Sequence, residues 1–120
     1  MIKLIMCLHR KAGISREQFQ NYWQNNHGPF FMKNAAVMRC KKYVQSHTLD
    51  SPLNEGMQQS RGMQAAFDGV AECWFESEAD LMEAMGTAEF AELGQALLDD
   101  ESTFIDHARS SAFIVREIEF

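Results

Sequence analysis

The chain has no paired cysteines, no basic stripe, no apolar run long enough to cross a bilayer and no glycine loop of the phosphate-binding kind. Each absence removes a class of function. Cys7, Cys40 and Cys73 contain no C-x-x-C pair and leave an odd total, which fits reduced thiols and a cytoplasmic setting better than a disulfide framework. They are evenly spaced, yet the flanks MCLH, RCKK and ECWF share no pattern, so no repeat is read from them. Eleven Lys and Arg stand against seventeen Asp and Glu, for a net charge of −6. The basic residues are scattered, so nothing matches a phosphate backbone and nucleic acid is not an expected partner. No apolar stretch approaches the roughly 20 residues of a spanning helix, and the opening MIKLIMCLHR lacks the order of a signal peptide. The expectation is a soluble, cytoplasmic protein with no membrane partner. There is no G-x-G-x-x-G, P-loop or Ser-His-Asp order. His9, His27, His47 and His107 show none of the usual metal-ligand spacings, so neither a cofactor nor a metal is expected.

What is present suits one core. At 120 residues, 46% hydrophobic, with two Trp and nine Phe, the composition is that of a globular domain spanning residues 1–120. Residues Ile2 to His9 are apolar at both parities, the pattern of a strand covered on both faces. Ser15 with Gln18 forms a capping-box signature, and Phe19, Tyr22 and Trp23 follow at helical spacing. Gly28-Pro29 is expected to break that helix. A short helix is expected over 30–38 and a strand over 42–48, with Tyr43, Gln45 and His47 on one face. The polar stretch Leu49 to Phe67 reads as a long loop and a candidate lid. A third strand spans Gly69 to Glu76, with Val70, Glu72 and Trp74 on one face. Ser77 and Thr87 cap two further helical segments, and a last strand lies near Ala112 to Ile118.

This order, β-α-β-β-α-β, predicts an α+β, ferredoxin-like fold: a four-stranded antiparallel sheet with its helices on one face. On the open face the reading places Tyr43, Gln45, His47, Val70, Glu72 and Trp74. That surface is too apolar to leave in water, so a second copy is expected to cover it, enclosing a small-ligand pocket between the sheets.

Several residues on these elements carry chemistry. His27, at the expected helix break, is placed to turn its ring into the pocket as acid or base; the alternative is a hydrogen bond that ends the helix. His47 shares parity with Tyr43 and Gln45, giving a polar pocket wall, or else a solvated strand end and a core-edge tyrosine. Glu72 is either a catalytic base or the partner of a buried cation such as Lys42. Trp74 is a pocket wall or a dimer contact, and Val70 and Gln45 line the same pocket. Tyr22 and Trp23 are assigned to the core, Asp68 and Asp106 to turn caps, and Asp99 to Glu101 to a solvated acidic stretch.

The segments KLIMCLHRKAGISREQFQNYWQNNHGP (Lys3 to Pro29), KKYVQSH (Lys41 to His47), DGVAECWFES (Asp68 to Ser77), FID (Phe104 to Asp106) and FIVREI (Phe113 to Ile118) together resemble the EthD-type proteins. That family belongs to the dimeric α+β barrel group and is named for ethyl tert-butyl ether degradation. The W-x-x-x-H-G-P piece, Trp23 to Pro29, is the most specific. The resemblance implies a homodimer with a small-molecule pocket more firmly than it implies an activity. Proteins of this architecture include lactone isomerases, polyketide-modifying enzymes and cofactor-free monooxygenases. It implies a histidine role for His27, since lactone isomerases of similar fold use a histidine in the matching helix. An oxidoreductase label also attaches to the family, although no residue here would itself carry electrons. Two functions follow as expectations. One is a cofactor-independent enzyme moving a proton on an ether, aromatic or polyketide-type compound. The other is a non-catalytic ligand-binding accessory to a monooxygenase pathway.

Overall fold

The run of apolar residues at both parities forms β1, Ile2–Leu8, and the sheet places it in its interior. The strand order is β2-β3-β1-β4, all neighbours antiparallel, with β2 at Lys42–His47, β3 at Gly69–Phe75 and β4 at Ser111–Val115. The computed structural model describes all residues, 1–120. Between the strands lie α1, Arg16–Tyr22; a π-helical turn, Trp23–His27; α2, Gly28–Lys33; α3, Pro52–Arg61; α4, Glu78–Met85; and α5, Ala88–Glu101. This is the α+β, ferredoxin-like arrangement.

Local chemistry explains the helix starts. The Ser15 side chain accepts from the Gln18 amide while the Gln18 side chain accepts from the Ser15 amide, completing the capping box. Ser77 and Thr87 cap α4 and α5 from one side only, their side chains accepting from the Asp80 and Phe90 amides. The core lies between the helices and one face of the sheet. Phe19 and Trp23 pack on Leu8, Ala71, Phe104 and Ile105, and Phe31, Leu93 and Leu97 pack on Cys73 and Phe75. Asp68, 1% exposed, fastens the β1 end to α1. It accepts from the Arg10 amide (2.7 Å), the Arg10 guanidinium (2.6 Å) and Arg16 Nε (2.9 Å). Burial pushes its pKa up, but these three bonds outweigh burial and hold it below the usual carboxylate value.

Four expectations need correction. First, Gly28-Pro29 does not break the helix: Gly28 keeps helical angles, φ −55° and ψ −53°. The wide π turn shifts the carbonyls that a proline ring would otherwise strike. Second, the stretch from Leu49 to Phe67 contains α3. Ser51 caps it, Pro52 opens it and Gly62 closes it at a left-handed φ of 61°. No residue of α3 is buried, and its apolar pair, Leu53 and Met57, is exposed. Third, β4 spans Ser111–Val115 and ends short of the expected Ile118.

The fourth correction concerns the two faces of the sheet. Tyr43 stands opposite Cys73, Gln45 opposite Ala71 and His47 opposite Gly69. Directly opposed residues of an antiparallel pair share a face, and Cys73, Ala71 and Gly69 are the buried, helix-covered residues of β3. Tyr43, Gln45 and His47 therefore face the helices. Val70, Glu72 and Trp74 face the opposite way, beside Ile5, Cys7 and Val44. A one-residue change of register exchanges every side chain between faces, and strand parity alone does not fix which polar set goes inward.

Candidate functional site

The π turn sets the position of His27. The Gly28 amide reaches back five residues to the Trp23 carbonyl, widening the helix at a place where such turns recur in functional sites. His27 is 6% exposed. Its Nδ1 lies 2.6 Å from Asp100 Oδ2, and the Tyr22 hydroxyl donates to Asp100 Oδ1 at 2.5 Å. A carboxylate only accepts, so Nδ1 carries a proton, and in the neutral ring Nε2 is the nitrogen with the free lone pair. The bond to Asp100, then burial, raises the Tyr22 pKa, so this phenol stays a donor. Nδ1 makes the only hydrogen bond of the ring. No fully buried side-chain nitrogen or oxygen lacks a partner, so Nε2 is in reach of the solvent-accessible space. Phe31 and Phe104 hold the ring from its sides, with centroids 6.4 and 5.3 Å away.

A second hydrogen-bonded chain crosses β2. Gln45 Nε2 is 2.9 Å from both the Trp23 carbonyl and the Tyr43 hydroxyl. A carbonyl cannot donate, so the amide nitrogen must point there, which turns Gln45 Oε1 toward His47 Nε2 at 2.9 Å. His47 therefore carries its proton on Nε2, and burial lowers its pKa and keeps the ring neutral. The ring packs at a tilt against Trp23, centroids 4.6 Å apart. Tyr43 Oη accepts from Gln45, leaving its own hydrogen to donate elsewhere. Burial pushes the Tyr43 pKa up to about 12, with the Gln45 bond pulling the other way, and the ring stacks on Phe31 at 4.2 Å. A Cβ on Gly28 would come within 2.9 Å of Gln45 Nε2, so the glycine of the H-G-P motif is what lets this amide reach the π turn.

The two chains meet at one cavity between the sheet and the helices. Its volume is about 50 Å³. His27, Tyr43, Cys73 and Glu101 supply its polar or titratable atoms, and Leu4, Met6, Leu8, Trp23, Phe31, Ala71 and Ile105 the apolar wall. The expected pocket between two sheets is thus not where His27 and Tyr43 converge: their cavity belongs to a single chain.

The structure brings together His27 and Tyr43, with Gln45 and His47 directly behind the tyrosine. It does not bring in the others. Glu72 lies across the sheet, 3.1 Å from Lys3 Nζ, so its partner is Lys3 and not Lys42. Trp74 donates to Glu117 at 2.6 Å and lies between the ammonium groups of Lys3 and Lys42, 4.9 and 4.8 Å from its ring. Val70 lines a separate open hollow of about 470 Å³ beside α3, with Leu53, Met57 and Phe67. No group of three or more His, Cys, Asp or Glu side chains converges in a way that would hold a metal. Asp100, Tyr22 and Glu101 were missed as site residues, although a signal existed. Asp100 and Glu101 continue the buried stripe of Leu93 and Leu97 at helical spacing, so they turn inward at the end of α5.

The pattern of the EthD domain matches residues 11–108. The chain belongs to the EthD domain family. An EthD family protein from Bacillus halodurans superposes on it with a TM-score of 0.65 at 20% identity, covering 98% of this chain and 99% of that one. An EthD-like protein from Ralstonia eutropha gives 0.59 at 18% identity, covering 95% and 88%. A dimeric ferredoxin-like protein of unknown function from Thermobifida fusca gives 0.58 at 12%, covering 95% and 88%. At such identities these likenesses establish the fold alone. No protein of curated function matches the chain. No helix of this EthD chain is long and apolar enough to cross a membrane.

Proposed function

We propose that this EthD chain is a single-domain, cofactor-independent enzyme that transfers a proton on a small cyclic, aromatic or ether-derived organic compound. The observation that carries the reading is His27: Nδ1 is bonded to a carboxylate at 2.6 Å, Nε2 has no hydrogen-bond partner, and the residue lines a largely apolar cavity. Such a carboxylate fixes the tautomer and steadies the imidazolium that forms when Nε2 takes a proton. Tyr43 orients an oxygen of the substrate, and the apolar walls limit water around the transfer. Ring-sized compounds exceed the cavity's interior, so binding requires the mouth to widen between the sheet and the helices.

We further propose that a second copy covers the open sheet face, where Ile5, Val44, Val70, Trp74 and Phe113 gather. The relative from Thermobifida fusca is described as dimeric, which supports an isologous pair. Glu72 then serves the interface through Lys3.

Thermal unfolding against a library of aromatics, lactones, quinones and branched ethers tests the site, because a ligand that binds only the folded chain raises its melting temperature. The expected result is a specific stabiliser that is turned over by the wild type and bound without turnover by His27→Ala. A stabiliser that is never turned over would favour a non-catalytic accessory role, and no stabiliser at all would refute the site.

A further inference from the structure

We infer that the compound taken into this cavity is a neutral carbon or oxygen acid, an enolisable ketone or a phenol, which gives its proton to His27 and places the resulting oxyanion on the Tyr43 hydroxyl. The inference rests on the proton-transfer reading and narrows it to a substrate class. Two fixed polarities carry it. In the neutral ring His27 Nε2 is the acceptor, because Nδ1–H is held by Asp100. Tyr43 can only donate into the cavity, because Gln45 Nε2 already donates to its oxygen and is itself committed to the Trp23 carbonyl. His47, donating to Gln45 Oε1, keeps that amide from turning over.

One acceptor and one donor on the same apolar wall match a substrate in which one atom loses a proton and a conjugated oxygen gains charge. In the step, the C–H or O–H bond of the ligand breaks and its proton forms the second N–H bond of His27. The electron pair stays on the ligand and settles on the oxygen facing Tyr43. No electron acceptor is needed, and the proton returns from His27 to a different atom of the ligand or to water. Burial keeps the Tyr43 proton on its oxygen throughout. The lining includes Glu101 and no Lys or Arg, so a ligand entering as a carboxylate or phosphate would meet repulsion and no counter-charge.

The test uses 4-nitrophenol, which is yellow only as the phenolate, and 4-nitroanisole, the same ring with its oxygen capped. Each is titrated onto the intact protein at a pH where free 4-nitrophenol is mostly protonated. The expected result is saturable yellow colour with the phenol, and binding of the anisole weaker by roughly tenfold or more. His27→Gln should abolish the colour and Tyr43→Phe should reduce it by about tenfold. The wild-type comparison needs no variant, so a variant that fails to fold leaves the test intact. Equal binding of both probes without colour would overturn the substrate class while the cavity reading stands. Colour that survives both substitutions would place the ionisation elsewhere and overturn the inference. Binding of neither probe by correctly folded protein would overturn the inference together with the proton-transfer reading.

Discussion

Replacing Asp100 by Asn is the sharpest perturbation of the site, because one carboxylate serves two buried donors. Its Oδ1 receives the Tyr22 hydroxyl at 2.5 Å and its Oδ2 receives His27 Nδ1 at 2.6 Å. An asparagine has the same shape but only one acceptor, so its NH2 group must face one of the two donors. Hydrogen bonds to a charged group contribute about 1.5–3 kcal/mol, and a buried donor left facing another donor costs about 1–3 kcal/mol. The Asp100 side chain is 19% exposed, so water relieves part of the conflict and the lower part of the combined range, about 2 kcal/mol, is the expected loss. With a urea dependence of about 1–3 kcal/mol per molar for a small protein, the unfolding midpoint should fall by roughly 1 M at unchanged slope. Asp100→Ala, which strands both donors, should fall further. Urea unfolding at neutral pH, followed by circular dichroism, measures both. Midpoints of Asp100→Asn and Asp100→Ala that coincide with the wild type would refute the buried two-donor arrangement and, with it, the fixed tautomer of His27.

Further outcomes follow from the same structure. The Tyr43 pKa is raised from 10 to about 12 in the folded chain, so its contribution is complete below pH 10 and disappears as pH climbs to about 12; about 2–3 kcal/mol should be lost over that window, and Tyr43→Phe should lose less. Asp68→Asn should cost about 1–3 kcal/mol, because Arg10 and Arg16 lose their buried partner while both remain partly exposed to water. In the wild type the Asp68 pKa is held down, so its contribution is present above the ordinary carboxylate value and lost as pH falls through the folded-state value, as acid titration of stability would record. Gly69→Ala would put a Cβ 2.4 Å from the Trp23 ring and 3.0 Å from the Ser46 carbonyl; a loss of about 1–3 kcal/mol in chemical denaturation is expected from such overpacking. Ile5→Asp, on the open sheet face, should convert a dimer to a folded monomer in sedimentation velocity, and an unchanged sedimentation coefficient would rule out that face as the interface.

Much of the architecture was legible where an element carries a local signal: the doubly apolar β1, the Ser15–Gln18 box, and the Ser77 and Thr87 caps each appear where the sequence places them. The candidate site was legible only in part. His27 and Tyr43 stand out by residue type and by the H-G-P setting, and both line the cavity. The side of the sheet was not legible, because β2 alternates polar and apolar residues at both parities. Its inward set, Tyr43, Gln45 and His47, is made burial-compatible by hydrogen bonds to Trp23 and to one another, a compensation that periodicity does not register. Asp100 was hidden for a related reason. An acidic triplet at a helix end resembles solvated surface until Tyr22 and His27 are known to lie across from it.

Nitrogen-resolved NMR of the His27 ring tests the central claim most directly. At neutral pH the account predicts Nδ1 protonated with a slowly exchanging proton and Nε2 bare, with Nε2 gaining a proton when 4-nitrophenol binds. A ring protonated at Nε2 and bare at Nδ1, or one whose Nε2 does not respond to the bound phenol, would contradict it.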